Sequence, residues 1–224
     1  ASLTATYKRD DADMVAETLL MNKEENFASD KELAAIFMKH INNPYALSFI
    51  YTAQNPEPLK ATVGERAVDM KINNVLSTYT NHLFVKQGDK VVLDDDQFAA
   101  FQALLRRIKS DDADHYRLTV LITDAEKAGD LTTYVSLVEE YLATPGLDAP
   151  DMTLANWAKP FSAPDANEDA KKRMISVLRS RVAEIEAGNR QPQTQLGNMR
   201  LSRPTDELLR MIIQVMETGE IPKN

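Results

Sequence analysis

Glycine and proline divide this chain into segments, and that division limits its fold more than any other feature. All seven glycines and all ten prolines lie between, or at the edges of, stretches whose apolar residues recur at helical spacing. Apolar residues that recur every three or four positions form one face of an amphipathic helix. The sequence therefore predicts one helix after another, with little loop left over for an active site.

Capping signals mark where two of these helices begin. Ser29 with Glu32, and Asp165 with Glu168, fit the capping-box pattern. In that pattern each side chain hydrogen-bonds a free backbone N–H of the other residue. We therefore predict helices that start at Ser29 and at Asp165.

Prolines and glycines predict further boundaries. Asn43 and Pro44 suit an N-cap and a first helical position. Gly129 suits the end of one helix and Asp130 caps the next, so the two helices around Gly129 form an antiparallel hairpin. Pro204 starts a last helix that we expect to be buried, because it has few polar positions.

The opening segment, Leu3 to Met21, also has helical spacing. Ala12, Val15, Ala16 and Leu19 fall on one face of it, and acidic residues precede them. Acidic residues suit a helix start because they compensate the helix dipole. We predict an amphipathic helix here.

The predicted fold class is all-α. Helix pairs around Gly129 and around residues 160–165 suggest a period of about 35 residues, the range of tetratricopeptide-type repeats. No second copy reproduces the side chains of the first, so we expect a helical-hairpin array that is tetratricopeptide-like and forms an irregular solenoid or bundle. Apolar residues on both sides of Gly88 add one minor β-hairpin near residues 83–93.

The helices form two halves of one continuous domain in this interpretation. Residues 1–93 make the N-terminal half, and residues 94–224 make the C-terminal half with the tetratricopeptide-like pairs. Residues 189–203 are polar and glutamine-rich without periodicity, which predicts a wrapping loop or a flexible linker. Since the chain begins at Ala1 without a methionine or a leader, we expect a processed product or a fragment.

Composition excludes several function classes. The chain has 34 acidic and 26 basic residues, a net charge of -8 and no run of lysine or arginine, which argues against a nucleic-acid partner. No apolar run approaches the roughly 20 residues of a spanning helix, so membrane insertion is not predicted. The absence of cysteine removes disulfides, thiolate nucleophiles and most structural zinc sites.

No pattern of reactive residues predicts an active site. His40, His82 and His115 are not spaced to share a helix face, and we expect His40 and His82 to pack and His115 to be solvated. The densest carboxylates lack the EF-hand spacing and stand at helix starts, where caps explain them. They are Asp94, Asp95, Asp96, Asp111, Asp112 and Asp114. We predict no catalytic residue, no cofactor and no metal.

Two groups of side chains are candidates for partner recognition. Aromatic residues at helical spacing could line a groove, although core packing is the more common role of such residues. These are Tyr134, Tyr141, Trp157 and Phe161. Arg190, Arg200 and Arg203 could contact an acidic partner, although solvated loop charge is the default.

Two stretches carry a family resemblance. The first, Ile36 to Leu76, contains the Asn43–Pro44 pair, the Phe49 to Asn55 segment, and the pattern Val63, Gly64, Val68, Asp69, Lys71 and Ile72. The second, Gly129 to Gly146, reads GDLTTYVSLVEEYLATPG and continues to Leu154, Ala155 and Trp157. Both resemble the helical region that follows the thioredoxin domain in a group of bacterial extracytoplasmic thioredoxin-like proteins.

The resemblance implies a scaffold and a location. In that family the redox chemistry belongs to an upstream Cys-x-x-Cys motif, and this chain has no cysteine, so no catalytic residue is carried over. A parent protein would be a thiol-disulfide oxidoreductase, and this part would be periplasmic or otherwise extracytoplasmic.

Three functional hypotheses follow. The first is a non-catalytic accessory or protein-interaction domain of a thioredoxin-like envelope protein, with a protein partner or client. The second is a free-standing tetratricopeptide-like adaptor that binds a peptide or a subunit. The third and most remote is a carboxylate-dependent hydrolase that uses Asp95 and Asp112.

Overall fold

The fold is helical, as predicted. A computed structural model describes residues 13–22, 24–163, 166–196 and 199–220. Its contacts divide the chain into two compact units, one up to Tyr116 and one from Arg117. This boundary lies later in the chain than the division at residue 93 that the helix pattern suggested. Among the described residues, the helices are all too short or too polar to cross a bilayer.

Helices dominate the first unit. They are α1 (described for residues 13–21), α2 (Lys31–His40), α3 (Leu47–Gln54), α4 (Glu57–Val63), α5 (Glu65–Thr80) and α6 (Asp95–Arg107). Single 3₁₀ turns precede α2 at Glu24–Ser29 and follow α5 at Asn81–Leu83. Strands β1 (Phe84–Gln87) and β2 (Lys90–Leu93) lie between α5 and α6.

The second unit contains most of α7 (Ala113–Ala128) and the helices that follow it. These are α8 (Leu131–Ala143), α9 (Asp151–Ala158), α10 (Glu168–Glu186) and α11 (Thr205–Thr218). A 3₁₀ turn at Lys159–Ser162 follows α9. The segment between α10 and α11 contains two short antiparallel strands, β3 (Gln195–Leu196) and β4 (Met199–Arg200).

Two predicted capping residues are replaced by a neighbour. Asp30, not Ser29, caps α2, because its carboxylate accepts from the backbone N–H of Glu32 at 2.9 Å while Ser29 ends the preceding 3₁₀ turn. Asn167 caps α10 by accepting from the N–H groups of the first turn at 3.1 and 3.0 Å. The predicted cap Asp165 lies outside the described residues.

The Asn43–Pro44 pair forms a turn and not a helix start. The Asn43 side chain accepts from the backbone N–H of Tyr45 at 3.0 Å, and α3 begins only at Leu47. Asparagine stabilises such turns with its own side chain. The prediction was wrong at this point because the same residue type favours both a cap and a turn.

A helix that the sequence did not predict begins at the first of two prolines. Pro56 is the N-cap of α4 and Pro58 lies in its first turn, where a missing N–H costs nothing. The helix ends at Gly64, whose φ of 98° is open to glycine and strained for other residues. The next helix, α5, starts immediately afterwards.

The minor β-hairpin is confirmed. Strands β1 and β2 pair antiparallel, with Phe84 opposite Leu93 and Gln87 opposite Lys90. Gly88 in the connection has a φ of 61°, which suits the left-handed turn of a two-residue hairpin. Asp94 follows and caps α6 by accepting from the N–H of Gln97 at 3.0 Å, as predicted.

The antiparallel hairpin of α7 and α8 is also confirmed. Gly129 has a φ of 70° and ends α7, and the Asp130 carboxylate accepts from the N–H of Thr133 at 3.0 Å to cap α8. Arg117 near the start of α7 donates to Glu140 near the end of α8 at 2.7 Å. Contact between the start of one helix and the end of the next requires that the two run in opposite directions.

The core of the second unit contains the aromatic residues that were candidates for a groove. Tyr134, Tyr141 and Phe161 are buried, and Trp157 packs against the same cluster while remaining partly exposed. The rings of Tyr134 and Phe161 meet edge to face at 5.6 Å, and those of Tyr141 and Trp157 at 5.2 Å. Core packing is therefore the role of these residues, as the helical spacing favoured.

Helix α10 is central to the second unit. Its contacts with α8 advance in the same direction along both helices, since Arg173 meets Ser136 and Glu139 while Arg181 meets Asp148 just beyond α8. These two helices therefore run parallel. Helix α11 runs antiparallel to α10, because its first half lies beside the end of α10.

Candidate binding groove

A groove lies between the parallel helices α8 and α10. It encloses a cavity of about 540 Å³, and its apolar lining comes from both helices, from α9 and from the loop after α8. The apolar lining residues are Leu142, Ala143, Leu147, Leu154 and Val177. Ser176 and Ser180, one helical turn apart on α10, place two hydroxyl groups along one edge. The result is an open groove whose lining combines apolar side chains with hydroxyl and charged groups.

One end of the groove is closed by an ion pair. Arg173 on α10 donates through Nε to the Glu139 carboxylate at 3.1 Å and through a terminal nitrogen to the Ser136 hydroxyl at 3.0 Å. The hydrogen bond to Glu139 raises the pKa of Arg173 above its usual value. Because both side chains are partly exposed, screening by water keeps the energy of this pair small.

Four charged residues border the other end. Arg190 donates to the Asp148 carboxylate, and Arg181 donates to the same carboxylate at 3.0 Å. The hydrogen bond from Arg190, followed by the positive charges of both arginines, lowers the pKa of Asp148, and the bond to Asp148 raises the pKa of Arg190. Glu184 lies 3.2 Å from Nε of Arg181.

Beneath this end lies a buried polar network. Arg181 donates to the Ala149 carbonyl at 2.8 Å and to one Asp151 oxygen at 3.0 Å. The other Asp151 oxygen accepts from the Thr205 hydroxyl at 2.6 Å. Arg181, Asp151 and Thr205 are each no more than 5 % exposed. Every charge in this network has a partner, which is the condition for burying charge at tolerable cost.

The network also contacts the described part of residues 189–203, for which the sequence predicted either a wrapping loop or a flexible linker. Gln193 donates its backbone N–H to the Thr205 hydroxyl at 2.9 Å, and Thr205 donates its own N–H to the Gln193 carbonyl at 3.0 Å. Leu201 donates its N–H to the Thr194 carbonyl at 2.9 Å. These bonds favour the wrapping loop over the flexible linker for the described part of residues 189–203.

Three ionisable groups of the groove, Asp148, Arg173 and Arg190, have shifted pKa values. A general acid or base works best with a pKa near the working pH. Here Asp148 is shifted down, and Arg173 and Arg190 are shifted up, so all three move away from neutrality. These three groups therefore carry fixed charges at neutral pH.

The three histidines lie in the first unit, outside the groove. His82 is exposed and its ring lies 6.1 Å from that of Tyr79, whereas His115 is half-buried against Tyr116 at 5.4 Å. Burial lowers the pKa of His115, so it is more often neutral than an exposed histidine. The predictions for these two were thus reversed, because His115 packs and His82 is solvated. His40 is partly buried at the end of α2.

The carboxylate clusters act as helix-start residues in the structure. Asp94 caps α6, and Asp95 and Asp96 follow in its first turn. Hydrogen bonds from the Gln97 backbone and side chain lower the pKa of Asp94. Within the described part of the chain, three or more histidine, aspartate or glutamate side chains never gather as a metal site would require.

Sequence reasoning missed the most connected residue of the site, Arg181. One signal was present: Arg181 occupies a position in the apolar stripe of α10, between Leu178 and Val182. A charged residue at a core position requires a buried partner. Arg190, which was expected to be a solvated loop charge, is paired with Asp148 instead.

The chain was also compared with protein-family models, curated proteins and solved structures, and none of the three comparisons finds a match.

Proposed function

We propose that this chain is a non-catalytic, protein-interaction domain and that the groove between α8 and α10 receives a segment of a partner protein. The observation that carries the proposal is the groove itself, a cavity of about 540 Å³ between α8 and α10 that is lined by apolar and by charged side chains. Its ion pairs, Arg173 with Glu139 and Arg190 with Asp148, are fixed charges that a partner segment can recognise.

The layout of the groove supports the same function. Protein interfaces combine an apolar centre with a polar rim. Here Leu142, Leu147 and Val177 contribute apolar side chains to the lining, together with the ion pairs Arg173–Glu139 and Arg190–Asp148. The hydroxyl groups of Ser176 and Ser180 give a partner backbone two sites for hydrogen bonds.

We further propose the tetratricopeptide-like interpretation for the second unit. Parallel packing of α8 and α10, with α9 between them in sequence, is consistent with a helical array. The ion pair between Glu139 on α8 and Arg173 on α10, two parallel helices, joins residues 34 positions apart, which is close to the expected period. If the resemblance to thioredoxin-like envelope proteins is correct, the domain is an accessory part of such a protein. If not, a free-standing adaptor is the alternative.

Site-specific photo-crosslinking tests the groove. A photoreactive amino acid is placed at Ser176 or Ser180, which line the groove, and in a matched variant at Ala183, an exposed position of α10 outside the groove lining. In cells of the encoding organism we expect a discrete adduct from the two groove positions and not from Ala183. Equal adducts from all three positions, or none from the groove, would contradict the proposal.

A charge variant sharpens the experiment. Arg173→Glu places like charges beside Glu139 and changes one end of the groove at a half-exposed position. We expect the adduct at Ser176 to weaken while the fold is kept. Arg179→Glu, on the same helix outside the groove lining, is the control.

A further inference from the structure

The two ends of the groove differ in charge. At one end, Arg173 and Glu139 form a single ion pair and leave no charge in excess. At the other end, three carboxylates share two guanidinium groups, so one negative charge is in excess. These groups are Asp148, Asp151 and Glu184 around Arg181 and Arg190.

The helix dipoles increase this difference. Since α8 and α10 run parallel, the negative ends of both dipoles lie towards the end of the groove beside Asp148 and Glu184. A basic residue in the last turn of a helix usually compensates this negative end. Neither helix has one, and the last turns contain Glu140 in α8 and Glu184 and Glu186 in α10. This end of the groove is therefore negative.

Glu184 has hydrogen-bonding capacity left for a ligand. Its side chain lines the groove and is 48 % exposed. Within the described residues, its ion-pair contacts to Arg181 at 3.2 Å and to Arg190 at 3.8 Å both use oxygen Oε2. Asp148, in contrast, accepts from the two arginines with both of its oxygens. Oε1 of Glu184 can therefore accept from a partner, and a charged donor gives the strongest hydrogen bond.

We propose that the partner segment carries a lysine or arginine side chain that binds Glu184, with apolar side chains beside it along the groove, an inference that rests on the proposed function. The excess negative charge at this end favours a cation over a neutral or an acidic group. Leu142 and Val177 provide the surface for the apolar side chains. The occupant is thus a segment in which a basic residue lies close to apolar ones.

The geometry of α10 gives the spacing within that segment. Val177 and Glu184 are seven residues apart, which is about 10 Å along a helix axis. An extended chain covers this distance in about three residues. An extended segment also leaves its backbone groups free for the hydroxyls of Ser176 and Ser180, whereas a helix bonds them internally. We therefore expect the basic residue about three positions from an apolar one.

A library of random peptides displayed on phage tests the proposal, with the whole chain as bait. Ser180→Trp and, separately, Ser176→Trp fill the groove from exposed positions. Peptides that bind the wild type but neither variant depend on the groove. Because these substitutions keep the net charge of -8, the comparison removes peptides recovered only because the protein is acidic. We expect the remaining peptides to share a lysine or arginine about three positions from an apolar residue.

Two matched variants measure the role of Glu184. Glu184→Gln keeps the shape of the side chain without its charge, and we expect it to weaken the binding of these peptides at least about threefold. Glu186→Gln removes the same charge from the same helical turn but outside the groove lining, so it should bind like the wild type. Circular dichroism should show that all the variants are folded.

The possible outcomes distinguish this inference from the proposed function. Groove-dependent peptides that lack the basic residue would overturn the role of Glu184 and leave the groove as a binding site. The same holds for peptides that Glu184→Gln and Glu186→Gln affect equally. A library that yields no groove-dependent peptide would contradict the proposed function, and the inference with it.

Discussion

Arg181 donates a hydrogen bond to the Asp151 carboxylate at 3.0 Å, and both side chains are almost completely removed from solvent. The two residues lie on different helices, α10 and α9. The Thr205 hydroxyl at the start of α11 completes the set by donating to the same carboxylate. One charged pair therefore fixes three helices of the second unit against each other.

Removing the buried charge of Arg181 should lower the free energy of unfolding far more than removing the half-exposed charge of Arg173 on the same helix. We expect Arg181→Met to lower the free energy of unfolding by about 3 to 5 kcal/mol, because the buried Asp151 carboxylate loses its nearest cation and keeps only the Thr205 hydroxyl and the more distant Arg190 at 3.8 Å.

Arg173→Met, which breaks the half-exposed pair with Glu139 and an exposed hydrogen bond to Ser136, should lower the free energy of unfolding by less than about 1 kcal/mol. Urea unfolding followed by the fluorescence of Trp157, the single tryptophan, measures both. Equal losses of unfolding free energy in the two variants would contradict the view that Arg181 belongs to a buried charged network.

The Thr205 hydroxyl should be needed to hold the segment before α11. Thr205→Val keeps the shape of the side chain but removes both the donor to Asp151 and the acceptor for the Gln193 N–H. We expect a loss of about 1 to 3 kcal/mol and faster amide exchange at Gln193. Thr205→Ser retains the hydroxyl and serves as the control. If the amide exchange rate of Gln193 is unchanged in Thr205→Val, other contacts hold the segment before α11.

The edge-to-face pair in the core should make Phe161 sensitive to truncation. Phe161→Ala leaves a cavity beside Tyr134, and we expect it to lower the free energy of unfolding by about 3 to 5 kcal/mol. Phe161→Leu fills most of the volume and should cost clearly less. Urea unfolding again provides the measurement, and similar losses for the two variants would argue against a tightly packed site.

Asp130, the N-cap of α8, should make the free energy of unfolding depend on pH under acidic conditions. Hydrogen bonds from the Thr133 hydroxyl and N–H hold the pKa of Asp130 below its ordinary value of 3.8. The folded protein therefore binds a proton less readily than the unfolded chain. The contribution of Asp130 is complete above the unfolded pKa and is lost as the pH falls through the folded pKa.

A non-titrating cap isolates this effect. Asn also caps helices but does not ionise, so Asp130→Asn should lose less stability than the wild type when the pH is lowered from about 5 to about 2.5. Urea midpoints at the two values measure the difference. If both proteins respond identically, another carboxylate is responsible.

The sequence was informative where a boundary depends on local chemistry. Gly129, Asp130 and Asp94 each act where they were predicted, because a left-handed glycine and a capping carboxylate interact only with residues a few positions away. The start of α2 shows the limit. Ser29 and Asp30 can both cap a helix, and the preceding 3₁₀ turn, which the sequence did not predict, includes Ser29.

The orientation of α1 was beyond local reasoning. By spacing, Val15 and Leu19 share a face with Ala16, yet Ala16 is buried while the other two are exposed. The direction in which the helix faces depends on Glu17 and its partner Ser48, 31 residues away. In the same way, Arg181 stands between Leu178 and Val182 in the apolar stripe of α10, but its partners Asp151 and Asp148 lie 30 and 33 residues earlier in the chain, beyond the reach of local patterns.

The ion pairs at both ends of the groove have one more consequence. Since Arg173–Glu139 and Arg190–Asp148 already join the surrounding elements, the groove has its shape before anything enters it. If the groove receives a partner segment, as we propose, the loss of conformational freedom on association falls mainly on that segment. A segment stiffened by proline or by a staple is then expected to bind more tightly than a flexible one of the same composition.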